Sequence, residues 1–223
     1  MTMTSASTVI LLDQSSGPHE LNVLLLQRAA TVSAFPGVWV FPGGRVDAED
    51  SDTTWLERVR PGPAMLARRM ALRDVAAGGF GTRDYLKRMR IGAPDPDRWV
   101  PNSPSNALWS HWVAAVRECW EETGISLAGW GERDVLDFNE LYYWGRLVPP
   151  PQVPRRFDTR FFIALIDRGA IKMSPSEFAA YDWMKVDEAL ELVPLANPTR
   201  YALARLKEFG TVNAMLVFLR EGL

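Results

Sequence analysis

The chain reads as a mixed α/β fold, and three features of its sequence point there. Short apolar or β-favouring runs occur at 8–12, 21–27, 38–41, 141–148, 161–166 and 182–186, with the length and composition of strands. Stretches of helical character lie among and after them, at 64–77, 84–89, 109–123, 187–192 and 198–209, and such interleaving marks a sheet covered by helices. Hydrophobic residues make up 47% and charged residues 23% of the 223, the balance of a folded domain rather than a disordered or fibrous chain.

Taken in order, the first two runs flank Ser15, Ser16, Gly17 and Pro18, turn formers that make a hairpin. The run at 38–41 stops at Pro42-Gly43-Gly44. Proline has no N–H for a ladder and glycine tolerates unusual backbone angles, so a tight exposed loop is expected there. From about 50 to 107 the character changes to scattered charge, Gly78-Gly79, and the prolines Pro94, Pro96, Pro101 and Pro104. This reads as a mainly helical insertion within a single domain spanning 1–223, with helices at 64–77 and 84–89. The 109–123 helix has Ser103 or Ser105 as a start signal and Gly124 as its stop. Pro149 to Pro154 form a stiff connector.

Charge and cysteine content narrow the function. Lys plus Arg total 25 against 27 Asp plus Glu, so no global basic field draws the chain onto nucleic acid. The one cysteine, Cys119, allows no intramolecular disulfide, which favours a cytoplasmic location. No run approaches membrane-spanning length. His19 and His111 share no metal-ligand spacing with each other or with Cys119, which argues against zinc. Nothing in the sequence bears on oligomeric state.

The chemistry concentrates on the 109–123 helix, where Glu118, Glu121 and Glu122 stand at i, i+3 and i+4 and project from one face. Like charges at that spacing repel unless a cation neutralises them, and hard oxygen ligands suit Mg²⁺ or Mn²⁺. Spacing alone also fits a solvated acidic face in which Arg117 pairs with Glu121.

The surrounding residues decide between these readings. Arg117-Glu118-Cys119-Trp120-Glu121-Glu122-Thr123-Gly124-Ile125 resembles the second half of the Nudix box, with every fixed position filled. Gly43 and Glu49, directly after Phe41-Pro42, are similar to its first half. The two halves are separated by 67 residues between Glu49 and Arg117, far more than in the ordinary box. Loop closure costs little extra for added length, so the halves can still meet. An insertion at this place resembles the peroxisomal-type coenzyme A diphosphatases and their bacterial relatives, as do Pro154-Arg155-Arg156-Phe157-Asp158-Thr159 and the segment from Leu195 to Tyr201.

The resemblance implies an α/β/α sandwich around a mixed sheet and metal-dependent cleavage of a diphosphate in a small nucleotide substrate. It implies Glu118, Glu121 and Glu122 as metal ligands, Glu118 as the group acting on the nucleophilic water, Arg117 as its orienting partner, and Glu49 as an additional base. Glu177 occupies the place of a further carboxylate ligand, with a surface loop glutamate as the equal alternative. Arg28 and Arg45 are suited to phosphate oxygens, although either reads equally as a surface ion pair, and the backbone at Gly43 or Gly44 can approach a ligand closely. Arg156 and Phe157 are candidates for holding a nucleotide, although an edge-strand salt-bridge cluster would read the same. The insertion carries a net charge of +3, from ten basic and seven acidic residues between Asp50 and Val116, which fits a lid over an anion or a solvated helical elaboration. Its tryptophans, Trp55, Trp99, Trp109 and Trp112, read as packing residues.

Coenzyme A or an acyl-coenzyme A, split to 3′,5′-ADP and a phosphopantetheine, is the expected substrate. ADP-ribose or a dinucleotide is the enzymatic alternative. A nucleotide-sensing module without hydrolysis is the alternative from another class, and its usual sign, a degraded box, is missing.

Overall fold

A computed structural model of the chain describes residues 3–221 apart from 16, 18, 19, 34, 76–79, 94 and 101–106. The turn residues Ser16 and Pro18, His19, Gly78-Gly79, Pro94, Pro101, Pro104 and the start signals Ser103 and Ser105 lie outside the described residues.

The sheet grows from the expected hairpin. β1 (Thr4–Asp13) and β2 (Asn22–Arg28) pair antiparallel, with Leu12 opposite Val23. β3 (Trp39–Val40) pairs with β2, and β4 (Gly43–Arg45) with β1. The expected loop at Gly43-Gly44 is therefore a short strand, because glycine fits where a side chain would not: a Cβ on Gly43 would collide with the Ser7 carbonyl and Thr8. β8 (Leu141–Leu147), β9 (Phe157–Ile166) and β10 (Phe178–Lys185) complete the main strands. β9 runs parallel to β1 over its whole length, from Thr4 opposite Phe157 to Asp13 opposite Ile166.

The insertion holds a two-residue strand β5 (Val59–Arg60), α1 (Pro63–Val75), β6 (Phe80–Gly81) and α2 (Thr82–Arg88). Both helices fall where the sequence predicts them. It also joins the main sheet, which the sequence did not signal: β6 pairs with β8, giving the order β10-β2-β1-β9-β8-β6. β5 pairs with β7 (Leu136–Asp137) in a small second sheet.

Alternation along β1 shows why helices cover both faces. Ile10 and Leu12 enter one core while Val9 and Leu11 enter the other, the period-two pattern of a strand buried on both sides. The first core is closed by α4 (Val186–Leu192), α5 (Asn197–Lys207) and an unexpected C-terminal helix, α6 (Val212–Glu221), through Ala189, Leu203, Leu206 and Met215. The second is closed by α1 and by α3 (Ser110–Thr123), through Leu66, Met70, Trp112, Val116 and Cys119. This is the α/β/α sandwich. Among the described residues, no helix is long and apolar enough to cross a membrane.

Candidate active site

The site forms where β4 meets the last two turns of α3. That helix ends at Gly124 in the left-handed conformation, φ 71°, with its N–H donating to the Trp120 carbonyl at 2.8 Å, as the stop signal requires. Val113, Val116 and Cys119 bury one side of the helix, so Glu118 and Glu122 face β4. The Gly43 N–H donates to Glu122 Oε2 at 2.8 Å. Glu118 lies so close over Gly44 that a Cβ there would overlap its carboxylate. The two glycines thus let the carboxylates approach the backbone.

Burial grades the three glutamates. Glu122 is 5% exposed, whereas the Glu118 side chain is 14% and that of Glu121 55% exposed. Burial raises Glu122 well above the ordinary carboxylate range, with the charges of Glu118 and Glu177 adding, while the Gly43 N–H and Arg28 oppose the rise. Burial also lifts Glu118 to about 7, with Glu121 and Asp47 adding and Arg117 opposing.

Arg117 ties the helix to the residues after β4. Its Nε and Nη2 donate to the two oxygens of Asp50 at 2.8 Å each, and Nη2 also donates to the Arg45 carbonyl at 3.0 Å. Nη1 reaches Glu118 at 3.1 Å and Glu121 at 3.0 Å. Asp50 is 1% exposed and also accepts the Asp47 N–H at 2.8 Å. A cleft of about 310 Å³ opens beside this clamp, with Val46, Asp47, Ala48 and His111 among its walls.

Among the described residues, no three acidic, histidine or cysteine side chains stand at metal-coordinating distance, since Glu122 turns to Gly43 and Glu118 and Glu121 turn to Arg117. The donor set nevertheless fits a hard divalent cation. All its atoms are oxygen, they share a helix face, and the burial and repulsion acting on Glu118 and Glu122 are relieved by an added positive charge.

The remaining sequence candidates fall at graded distances from this cluster. Arg28 stacks over Phe178 at 5.3 Å and is near enough to act on the Glu122 charge. Glu177 is exposed; its carbonyl accepts the Ala29 N–H at 2.8 Å and its charge also reaches Glu122. Arg45 is exposed and contributes its carbonyl to Arg117. Glu49 is exposed, and its carbonyl takes the Trp55 indole N–H at 3.0 Å; the acid that meets Arg117 is its neighbour Asp50. Arg156 donates to the Pro149 carbonyl at 3.0 Å and lies over Trp99 at 5.1 Å. Phe157 is half-buried at the start of β9, opposite Thr4.

Two groups were not foreseen. Asp50 was within reach of the sequence, since counting five intervening residues from Gly44 instead of Gly43 lands on it. The other is a buried polar chain beneath β4. Asp158 accepts from Arg146 at 2.6 and 2.7 Å and from Arg160 at 3.3 Å; Arg160 donates to His111 Nε2 at 2.9 Å, and His111 Nδ1 meets Ser7 Oγ at 3.0 Å. Arginine cannot accept, so His111 Nε2 must, which fixes a neutral ring protonated at Nδ1. The Asp158–Arg160 pair is the salt-bridge alternative that the sequence offers for this segment, on a strand inside the sheet rather than at its edge; nothing in the sequence links that pair to Arg146, His111 and Ser7.

A glycine strand against an Arg-Glu-x-x-Glu-Glu helix in an α/β/α sandwich defines a hydrolase of the Nudix class. The family model of the NUDT19 Nudix domain matches residues 3–152, and the chain belongs to this family. The chain is 27% identical to the acyl-coenzyme A diphosphatase NUDT19 of Gallus gallus, over 91% of this chain and 65% of that protein. It is 24% identical to the protein of the same name from Homo sapiens, over 88% and 63%. It therefore spans less than two thirds of the length of these relatives. Among solved structures, a NUDIX hydrolase from Alicyclobacillus acidocaldarius superposes with a TM-score of 0.63 at 23% identity, covering 96% of this chain and 95% of that one. The NUDIX domain of Shewanella oneidensis NrtR complexed with ADP ribose gives 0.53 at 14% identity, covering 93% and 88%. These two likenesses speak to the fold.

Proposed function

We propose that the protein hydrolyses the diphosphate linkage of coenzyme A or an acyl-coenzyme A, giving 3′,5′-ADP and the corresponding phosphopantetheine. The observation that carries the chemistry is the intact cluster of Glu118 and Glu122 against Gly43 and Gly44, locked by Arg117. The choice of substrate is supported by the name of the NUDT19 relatives. ADP-ribose or a dinucleotide is the second enzymatic reading, favoured by the ADP-ribose complex of the NrtR domain. A sensing module without hydrolysis is disfavoured, because no fixed position of the box is lost.

Glu118, Glu121 and Glu122 would hold Mg²⁺ or Mn²⁺, with Glu177 as a further ligand and the backbone at Gly43 or Gly44 alongside. Such ions neutralise charge on the diphosphate and favour departure of a phosphate. Glu118, whose burial beside Glu121 and Asp47 raises it above the ordinary carboxylate range until a cation offsets that charge, would accept the proton of the attacking water. Arg117 holds the Glu118 and Glu121 carboxylates in place. Arg28 and Arg45 meet phosphate oxygens. Arg156 and Phe157 would hold the nucleotide half, and Glu49 has a lesser part than Asp50. We assign the protein to the cytoplasm as the default for a chain whose single cysteine allows no intramolecular disulfide.

Product analysis by mass spectrometry tests the reading. The protein is incubated with Mg²⁺ or Mn²⁺ and a panel of coenzyme A, acetyl-coenzyme A, ADP-ribose, NADH and diadenosine polyphosphates. Fastest release of 3′,5′-ADP from the coenzyme A compounds is expected. Rapid cleavage of another compound with coenzyme A untouched would remove the substrate assignment and leave the glutamate site standing.

A further inference from the structure

We infer that Phe35 is the stacking surface for the nucleobase of the bound substrate, an inference that rests on the nucleotide-diphosphate reading. Phe35 has its backbone in the left-handed region at φ 52°, which a bulky residue adopts only at a cost. Its side chain is 49% exposed and belongs to neither core, so burial does not offset that cost. Among the described residues its ring has no aromatic partner. Strain at an exposed position persists where the surroundings over-determine it, and such places cluster at ligand clamps.

The loop that carries Phe35 is anchored on both sides. The Arg28 N–H donates to the Val38 carbonyl and the Gly37 N–H to the Arg28 carbonyl, both at 3.0 Å, so the loop leaves and returns at Arg28. Ala29 is held to Glu177, and Arg155 Nη1 donates to Ser33 at its carbonyl, 3.3 Å, and its hydroxyl, 3.4 Å. Gly37 is thus bonded to Arg28, and Phe35 lies two residues away, at most about 7 Å along the chain.

Arg28 itself has a buried Nε without a hydrogen-bond partner among the described residues, and its charge acts on Glu122. The loop that carries Phe35 therefore closes on Arg28, a cation stacked on Phe178 with one N–H left over, whose charge reaches the carboxylate cluster. A nucleoside diphosphate presents its base, its phosphate and its scissile linkage in succession. Every base has a π-face, so stacking on Phe35 would hold the nucleoside half without selecting a particular base.

Calorimetric titration of the whole chain with 3′,5′-ADP and with 4′-phosphopantetheine in Mg²⁺ tests this without relying on turnover. Phe35→Ala and Phe35→Gly should weaken 3′,5′-ADP roughly tenfold and leave 4′-phosphopantetheine unchanged, whereas Phe35→Tyr should retain wild-type affinity. Phe35→Gly relieves the left-handed strain, so its thermal midpoint should not fall below that of Phe35→Ala, which separates loss of the ring from loss of fold. Unchanged 3′,5′-ADP affinity in Phe35→Ala, a loss confined to 4′-phosphopantetheine, or a wild type that binds neither 3′,5′-ADP nor AMP would each overturn the inference. If the wild type cleaves a different nucleotide, the coenzyme A reading fails separately and the same variants are read with AMP.

Discussion

Asp50 and Arg117, 67 positions apart, meet through two hydrogen bonds of 2.8 Å across the mouth of the insertion. One is a buried acid and the other holds the glutamate clamp, so the segment leaving β4 is tied directly to α3. This contact closes the gap that interrupts the box.

Asp50→Asn should lower hydrolysis by about ten- to a hundredfold, because Arg117 loses its fixed partner and misplaces Glu118 and Glu121. Stability should fall by about 3 kcal/mol, the low end for breaking a buried pair, since Arg117 keeps the Arg45 carbonyl and two glutamates. Glu49→Gln, on the exposed neighbour, should leave both close to wild type. Urea melts and initial rates on the two variants measure the contrast; equal effects would mean that Asp50 has no special part.

Gly44→Ala places a methyl group in the space of the Glu118 carboxylate. The carboxylate must move, and a displacement of that order costs about a hundredfold in rate, while overpacking should take about 1–3 kcal/mol from stability. Steady-state kinetics beside a thermal melt would show whether activity falls much further than fold.

His111 supplies a pH signature. Burial, and then the positive charge of Arg160, hold its folded pKa well below the ordinary histidine value, with Arg146 acting the same way. The unfolded chain therefore takes up a proton as pH falls through about 6.5 while the folded chain does not. Stability is full above that value and declines below it, by up to about 1.4 kcal/mol per pH unit. Asp158 and Asp74 face the same cluster, and Asp74, raised by burial, works in the opposite direction as it does in any variant. The difference between wild type and His111→Gln isolates the ring: their denaturation midpoints should converge as pH falls from 7.5 to 5.5. Parallel curves would show that His111 does not titrate on unfolding.

What the sequence made legible was local. Gly124, the three glutamates and the apolar side of α3 all lie within one helix and its cap, where spacing alone fixes which residues share a face. The strands of the hairpin were legible for the same reason, as were the helices of the insertion. What escaped depends on tertiary contact. The choice between Glu49 and Asp50 is a matter of which one turns inward, and neighbours in sequence carry no sign of that. The segment around Asp158 offered a salt-bridge cluster as one of its two readings, but the partner Arg146, on the neighbouring strand, is seen only in the fold. β6 is two residues long, too short for any periodicity, and its strand character comes only from its pairing with β8.

The most direct test compares wild type with Glu121→Gln on coenzyme A, with Mg²⁺ and with a chelator. Glu121 is exposed and its carboxylate meets only Arg117 among the described contacts, so the change alters charge without disturbing the core. Wild type with Mg²⁺ should release 3′,5′-ADP, and either the substitution or the chelator should reduce the rate about a hundredfold or more while the thermal midpoint stays near wild type. A folded variant that cleaves at the wild-type rate, or turnover indifferent to the chelator, would contradict a metal-dependent hydrolase centred on these glutamates.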